Sequence, residues 1–257
     1  MISVVETIGH DAEVFLVDQT GKYISAEGLI GGTKDHPLML DHRNGALQED
    51  NVMMELNIRP ARTPDEFVDF TQQTLRSAYR EFIEPNGLNI RFDASGDFDD
   101  DQLGTAQSTA SGCASDFRLG SYDANERIDL SNTNTRYCGG HLHFGLTLPK
   151  VYRREVLARA ADIFNGIIDM YDTDEVRKRV YGAIATRHRP KPYGVEYRTM
   201  SNWWMKSPTL ARFVATIGFA IGNDLVLHHT RRAGTEVFLA RYGITAPDIN
   251  KLEEWNL

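Results

Sequence analysis

The amino-acid sequence predicts an α+β fold, because period-two stretches, long helical stripes and irregular connections succeed one another without a regular βαβ alternation. Near the N-terminus IGHDAEVFLVD alternates, and QTGKY supplies a turn at Gly21. GLIGGTKDHPLML reads as loop with short extended pieces, after which NVMMELNIRPA alternates until Pro60 ends it. A helix follows. Thr63 suits the N-cap, Pro64 suits the first helical position, and Phe67, Phe70, Leu75, Tyr79 and Phe82 form a stripe that stops near Pro85 and Gly87.

The least regular part runs from about 93 to 136 and holds DFDDD, GTAQSTASG and SNTNT. A connection of this length is a functional or mobile segment, expected on the substrate side, or else a tolerated surface insertion. Beyond it lie a strand at GGHLHFGLTL, a helix from about Val151 to Tyr171 and another from about Pro208 to His229. Between the helices come RKRVYG, RHRPKPYG and a short strand, VEYRTMSNWW. No internal repeat or composition break divides the 257 residues, so one domain is expected.

Composition excludes some functions. With 36 acidic against 28 basic residues the net charge is −8, which argues against general nucleic-acid binding. It fits either a solvated acidic surface or a cation site. No window approaches about twenty uncharged apolar residues, and Phe213–Leu227, interrupted by Asn223 and Asp224, reads as a buried helix, so no membrane partner is expected. The first residues carry Glu6, Asp11 and Glu13 instead of the regions of a signal peptide, and Cys113 and Cys138 form no CxxC pair. A cytoplasmic protein with reduced thiols is expected.

Side chains on a strand alternate between its faces, so charged groups at i and i+2 share a face and leave the other apolar. Four segments do this: Asp11 with Glu13, Glu55 with Asn57, His141 with His143, and Glu196 with Arg198. Singly, each pattern is the wet side of a half-exposed antiparallel strand. Together, on one sheet, the carboxylates would repel one another unless a cation neutralised them. Oxygen-rich ligands with one or two imidazoles favour Mg²⁺ or Mn²⁺, whereas the CxxH spacing of Cys138 and His141 lacks the remaining ligands of a zinc site. Upstream of Glu196 lie Arg177, Lys178, Arg179, Arg187, His188, Arg189 and Lys191, the later ones on a loop stiffened by Pro190 and Pro192. This is either a basic surface or the arginine-rich partner that phosphoryl transfer needs beside metal-binding carboxylates. GLIGGTK offers backbone amides and Lys34 but lacks the phosphate-loop pattern.

In order along the chain, IGHDAEVFLVD, IGGTK, QEDNVMMELNIRPA, GGHLHFG and YGVEYRTMSNWW resemble the phage-type carboxylate–amine ligases, a family similar to glutamine synthetase and glutamate–cysteine ligase. The resemblance implies a curved, mainly antiparallel sheet flanked by helices, like the glutamine synthetase catalytic domain, with ATP and the acceptor substrates entering from opposite ends. It implies ATP and Mg²⁺ (or Mn²⁺) as cofactors, with Asp11, Glu13, Glu55, His141 and Glu196 as metal ligands. It further implies His143 near the nucleotide phosphates, with Arg179 and Lys34 as further nucleotide-binding candidates. Arg198, with Arg187 or Arg189, would contact the transferred phosphoryl group, and Glu49 or Asp50 would supply another ligand; Glu49, Asp50 or an acid from the irregular region would take a proton from the amine. The implied substrates are a carboxylate and an amine, free or on a peptide or protein, in the host cytoplasm if the protein is phage-encoded. A guanidino-kinase-like phosphotransferase and an inactive nucleotide- or metal-binding protein are the alternatives. Asp11 stands where the larger synthetases carry a longer Glu, so their substrates do not transfer.

Overall fold

The computed structural model describes residues 3–109, 116–118, 124–125, 128–181, 187–228 and 233–257. Cys113 and the expected helix end at His229 lie outside the described residues. The alternating N-terminal stretch is β1 (Val5–Val17), and Gly21, at φ +86°, turns the chain into β2 (Tyr23–Ile24). Within the expected loop lies β3 (Leu38–Met39), followed by the hairpin of β4 (Gly45–Asp50) and β5 (Met53–Ile58). Helix α1 (Pro64–Ala78) starts where the Glu66 N–H donates to Thr63 Oγ1 at 3.1 Å, and helical geometry continues to the left-handed Gly87 at φ +69°.

The irregular stretch yields short pieces: β6 (Asn89–Arg91), β7 (Ser95–Asp97), α2 (Ala106–Thr109), β8 (Phe117–Arg118) and β9 (Thr135–Tyr137). Then follow β10 (Leu142–Leu146), α3 (Pro149–Tyr171), α4 (Glu175–Tyr181), β11 (Arg187–Lys191), β12 (Gly194–Tyr197), α5 (Pro208–His228) and α6 (Thr235–Arg241). Two expectations are corrected here. RHRPK is a strand rather than a stiff loop, and among the described residues β11 pairs with β8 through Arg187 and His188, leaving Pro190 outside that ladder. The strand expected through NWW stops at Tyr197, and Asn202–Lys206 form a short 3₁₀ helix whose Trp203 N–H donates to Ser201 Oγ at 3.3 Å.

Among the described residues the sheet runs β3–β4–β5–β1–β10–β12–β11–β8, every pair antiparallel, with β2 and β6 against the end of β1. One face is the core. Ala12, Val14, Met54, Leu56, Leu142, Phe144 and Val195 are all fully buried there, under α1, α3 and α5. By length and composition α5 is apolar enough to cross a membrane, contrary to the expectation from sequence. Its apolar stretch is 61% buried, packed on β1, α1 and α3, as in a core helix.

Candidate active site

The antiparallel register carries the polar alternation across the other face of the sheet. Gln48, Glu55 and Glu13 lie in one cross-strand row, Asn57 and Asp11 in the next, and Gly9, His143, Glu196 and Arg189 in a third. Directly opposed residues on one face stand about 4.5–5.5 Å apart at Cβ, so side chains distant in sequence converge.

Two groups result. Glu13, Asp50 and Glu55 each offer a carboxylate oxygen within 4.8 Å of the others, and Asp11, His143 and Glu196 offer a second such set. His141 adjoins the second, its Nδ1 3.0 Å from Asp11 Oδ1 and 4.0 Å from Glu196 Oε1. Glu196 is fully buried and meets three cations: Lys191 Nζ at 2.9 Å, Arg189 Nη1 at 3.3 Å, and Arg198 in closer contact. Arg198 and Arg187 share Asp116, with Arg187 Nη1 3.2 Å from Asp116 Oδ1 and Arg198 Nε 3.6 Å from Oδ2.

The donor set fits a hard divalent cation. Glu13, Asp50 and Glu55 present oxygen only, which suits Mg²⁺ or Mn²⁺. His143 Nε2 is buried 3.0 Å from Asp11 Oδ2. A buried ring nitrogen grouped with two carboxylates is placed to serve as a ligand atom when deprotonated.

Charge is distributed unevenly between the groups. Burial, reinforced by Asp50 and Asp11, pushes the Glu13 carboxyl up to about 8 against the opposing Gly139 N–H and Arg198. Burial and the charges of Asp11, Asp50 and Glu13 push Glu55 well above its ordinary range, and burial raises Asp50 despite Lys34. Burial also opposes the charge of Asp11, but His143 and His141 outweigh it and hold the group well below the carboxylate range. For Glu196, burial and Asp11 raise, yet Arg198 and the two histidines bring it down to about 2.

A pH dependence follows. Glu13 moves from an ordinary 4.5 to about 8, so between those values the folded cation-free protein holds more protons than the unfolded chain. Stability therefore falls as pH rises through that window. Thermal melts of the cation-free protein are expected to drop in midpoint from about pH 5 to about pH 8, and the gain from added Mg²⁺ or Mn²⁺ to grow over the same range. A cation-induced gain that is flat with pH would contradict this distribution of charge.

Of the residues singled out in the sequence, Asp11, Glu13, Lys34, Asp50, Glu55, His141, His143, Arg189 and Arg198 line one cleft of about 280 Å³, with Glu196 beneath it. Arg187 stands behind them, tied to Asp116 and set over the Tyr181 ring. Two further candidates also lie off the cleft. Glu49 lies opposite Met54 in register, and its Oε1 accepts the Ile30 and Gly31 N–H groups at 3.1 and 2.8 Å. Arg179 is exposed on α4 and donates to the Glu175 carbonyl, while Arg177 is the buried member of that run. Sequence reasoning missed Asp116, which sits in the irregular stretch with no periodicity to mark it, and Tyr193, whose hydroxyl bonds His143 Nδ1. From His143 and Asn57 a second compartment of about 370 Å³ opens along Gly9, Gly145, Pro60 and Tyr193.

No curated protein matches the chain. Residues 131–244, which carry β9 to α6, match the model of the family described as phage phiEco32-like COOH.NH2 ligase-type 2, and this bears out the family that the ordered strand motifs resemble, a family of carboxylate–amine ligases.

Proposed function

We propose that the protein couples ATP cleavage to amide formation through an acyl phosphate. The observation that carries this is the adjacency of a carboxylate group, buried Glu13 and Glu55 with half-buried Asp50, to a cationic row, Arg189, Lys191 and Arg198, in one open cleft. Phosphoryl transfer needs little covalent chemistry from a protein; it needs charge and position. Arg198 and Arg189 would hold the transferring phosphoryl group, and Lys34 at the rim would meet an incoming anion. A divalent cation held by Glu13 and Glu55, with Asp11, His143 and Glu196 as its neighbours, would supply neutralisation of phosphate charge.

In the first step a substrate carboxylate oxygen bonds to the γ-phosphorus and ADP leaves. In the second, the amine bonds to the acyl carbon, inorganic phosphate leaves, and the amine gives up a proton. Asp50 is the proposed acceptor of that proton, because Glu49 is engaged by the backbone of the glycine loop. The two compartments on either side of His143 and Asn57 let nucleotide and acceptor approach from different ends. The acid and amine are small molecules or groups of a peptide or protein, met in the cytoplasm.

The test is product analysis with Mg²⁺ over mixtures of amino acids and amines. ADP and phosphate are expected to appear in equal amounts only when acid and amine are both present, with a product heavier than the acid by the amine less water. A stable phosphorylated product would instead establish a kinase, and nucleotide binding without ADP release would establish a binding protein.

A further inference from the structure

Tyr193 stands at the tip of the β11–β12 hairpin, 46% exposed, yet its position is fixed. Arg153, from α3, donates to the Lys191 and Gly194 carbonyls on either side of it, both at 2.8 Å. The Leu146 N–H of β10 donates to the Tyr193 carbonyl at 2.9 Å. The phenol ring lies nearly parallel to the His143 imidazole, 22° between planes and 6.1 Å between centroids, and its hydroxyl hydrogen bonds to Nδ1. The opposite nitrogen, Nε2, is buried and faces Asp11 Oδ2 at 3.0 Å.

A neutral imidazole carries one proton, and the partner of one nitrogen decides what the other can do. With the proton on Nε2, the lone pair would face Tyr193 and the N–H would face the carboxylates, closing the group to a cation. With the proton on Nδ1, Nε2 becomes a lone-pair donor. A hydroxyl accepts as readily as it donates, and here it sits on the nitrogen that must keep the proton.

We propose that Tyr193 is a positioning residue whose hydroxyl accepts a hydrogen bond from His143 Nδ1–H, and so keeps Nε2 a lone-pair donor aimed between Asp11 and Glu196. This rests on His143 being a ligand of the divalent cation in the proposed function. Partners of metal-bound histidines act in this way in general, and losing one weakens metal affinity about 10–100-fold. The half-exposed phenol makes Tyr193→Phe a clean test, since the ring and its stacking persist while only the hydroxyl goes.

Nitrogen-15 NMR of the full chain in the presence of Mg²⁺, with His143 assigned by its absence in His143→Asn, reads the tautomer directly. The wild type is expected to show Nδ1 protonated and Nε2 bare, and Tyr193→Phe to shift towards the Nε2–H form. Mn²⁺ titration is expected to show about 10–100-fold weaker binding in Tyr193→Phe at an unchanged melting temperature. A wild type protonated at Nε2, or a Tyr193→Phe protein with wild-type tautomer and wild-type Mn²⁺ affinity, overturns the proposal. A wild type that binds no Mn²⁺ refutes the cation reading instead, and the tautomer measurement still decides the role of Tyr193.

Discussion

Glu55→Gln is expected to lower turnover about 10²- to 10³-fold while making the cation-free protein more stable above neutral pH. The opposite signs come from one cause. Glu55 is buried among Asp11, Asp50 and Glu13, and its carboxyl is pushed well above its ordinary range by burial and by their charge. Glutamine has the shape of the protonated acid and can still accept the Asn57 Nδ2–H that reaches Glu55 Oε1 at 3.1 Å. Removing the ionisable group relieves the repulsion, a gain of about 0.5–2 kcal/mol measured by denaturant melts near pH 8. It also deletes one of three carboxylates of the oxygen-only group, so Mn²⁺ affinity should fall together with activity. A variant that loses stability and activity in parallel would show that Glu55 is a structural residue and that the group is no cation site.

How far this site was legible depends on which physical rule each residue obeys. Asp11, Glu13, Glu55, His143 and Glu196 sit on strands, with His141 and Arg198 one residue beyond strand ends, and the period of two makes their shared face readable from spacing alone. Phase is harder than period. In QED, acids follow one another, and only the β4–β5 register shows that Gln48 faces Glu55 while Glu49 faces the glycine loop. Helical basic residues obey a different geometry, so RKR gave no sign that Arg177 would be buried on the Cys138, Thr199 and Met200 carbonyls while Arg179 faces solvent. Proline misled as well, since Pro190 suggested a loop where the structure has a strand whose pairing with β8, among the described residues, involves Arg187 and His188. Asp116 obeys no local rule at all. Its partners, Arg187 and Arg198, are more than seventy residues away, and only the fold brings them together.

Arg198→Met is expected to remove activity and to destabilise the fold, and a second substitution separates the two effects. Glu196 is fully buried, and Arg198 is the first of the cations that overcome burial and Asp11 to keep it charged. Deleting one partner of a buried pair costs up to about 3–5 kcal/mol, because the other charge is stranded. Here the cost should be smaller, since Arg189 and Lys191 still contact Glu196 Oε2. Arg198→Met with Glu196→Gln has no stranded carboxylate, so its melting midpoint should return most of the way to wild type. Its activity should not return, because the guanidinium proposed to hold the phosphoryl group and the carboxylate facing His143 in register are both gone. Arg198→Lys supplies the remaining comparison: it keeps the charge but not the planar fork that also reaches Asp116, and should fold well while turning over slowly. If the double variant regains activity along with stability, Arg198 serves only to neutralise Glu196, and phosphoryl contact falls to Arg189 and Lys191.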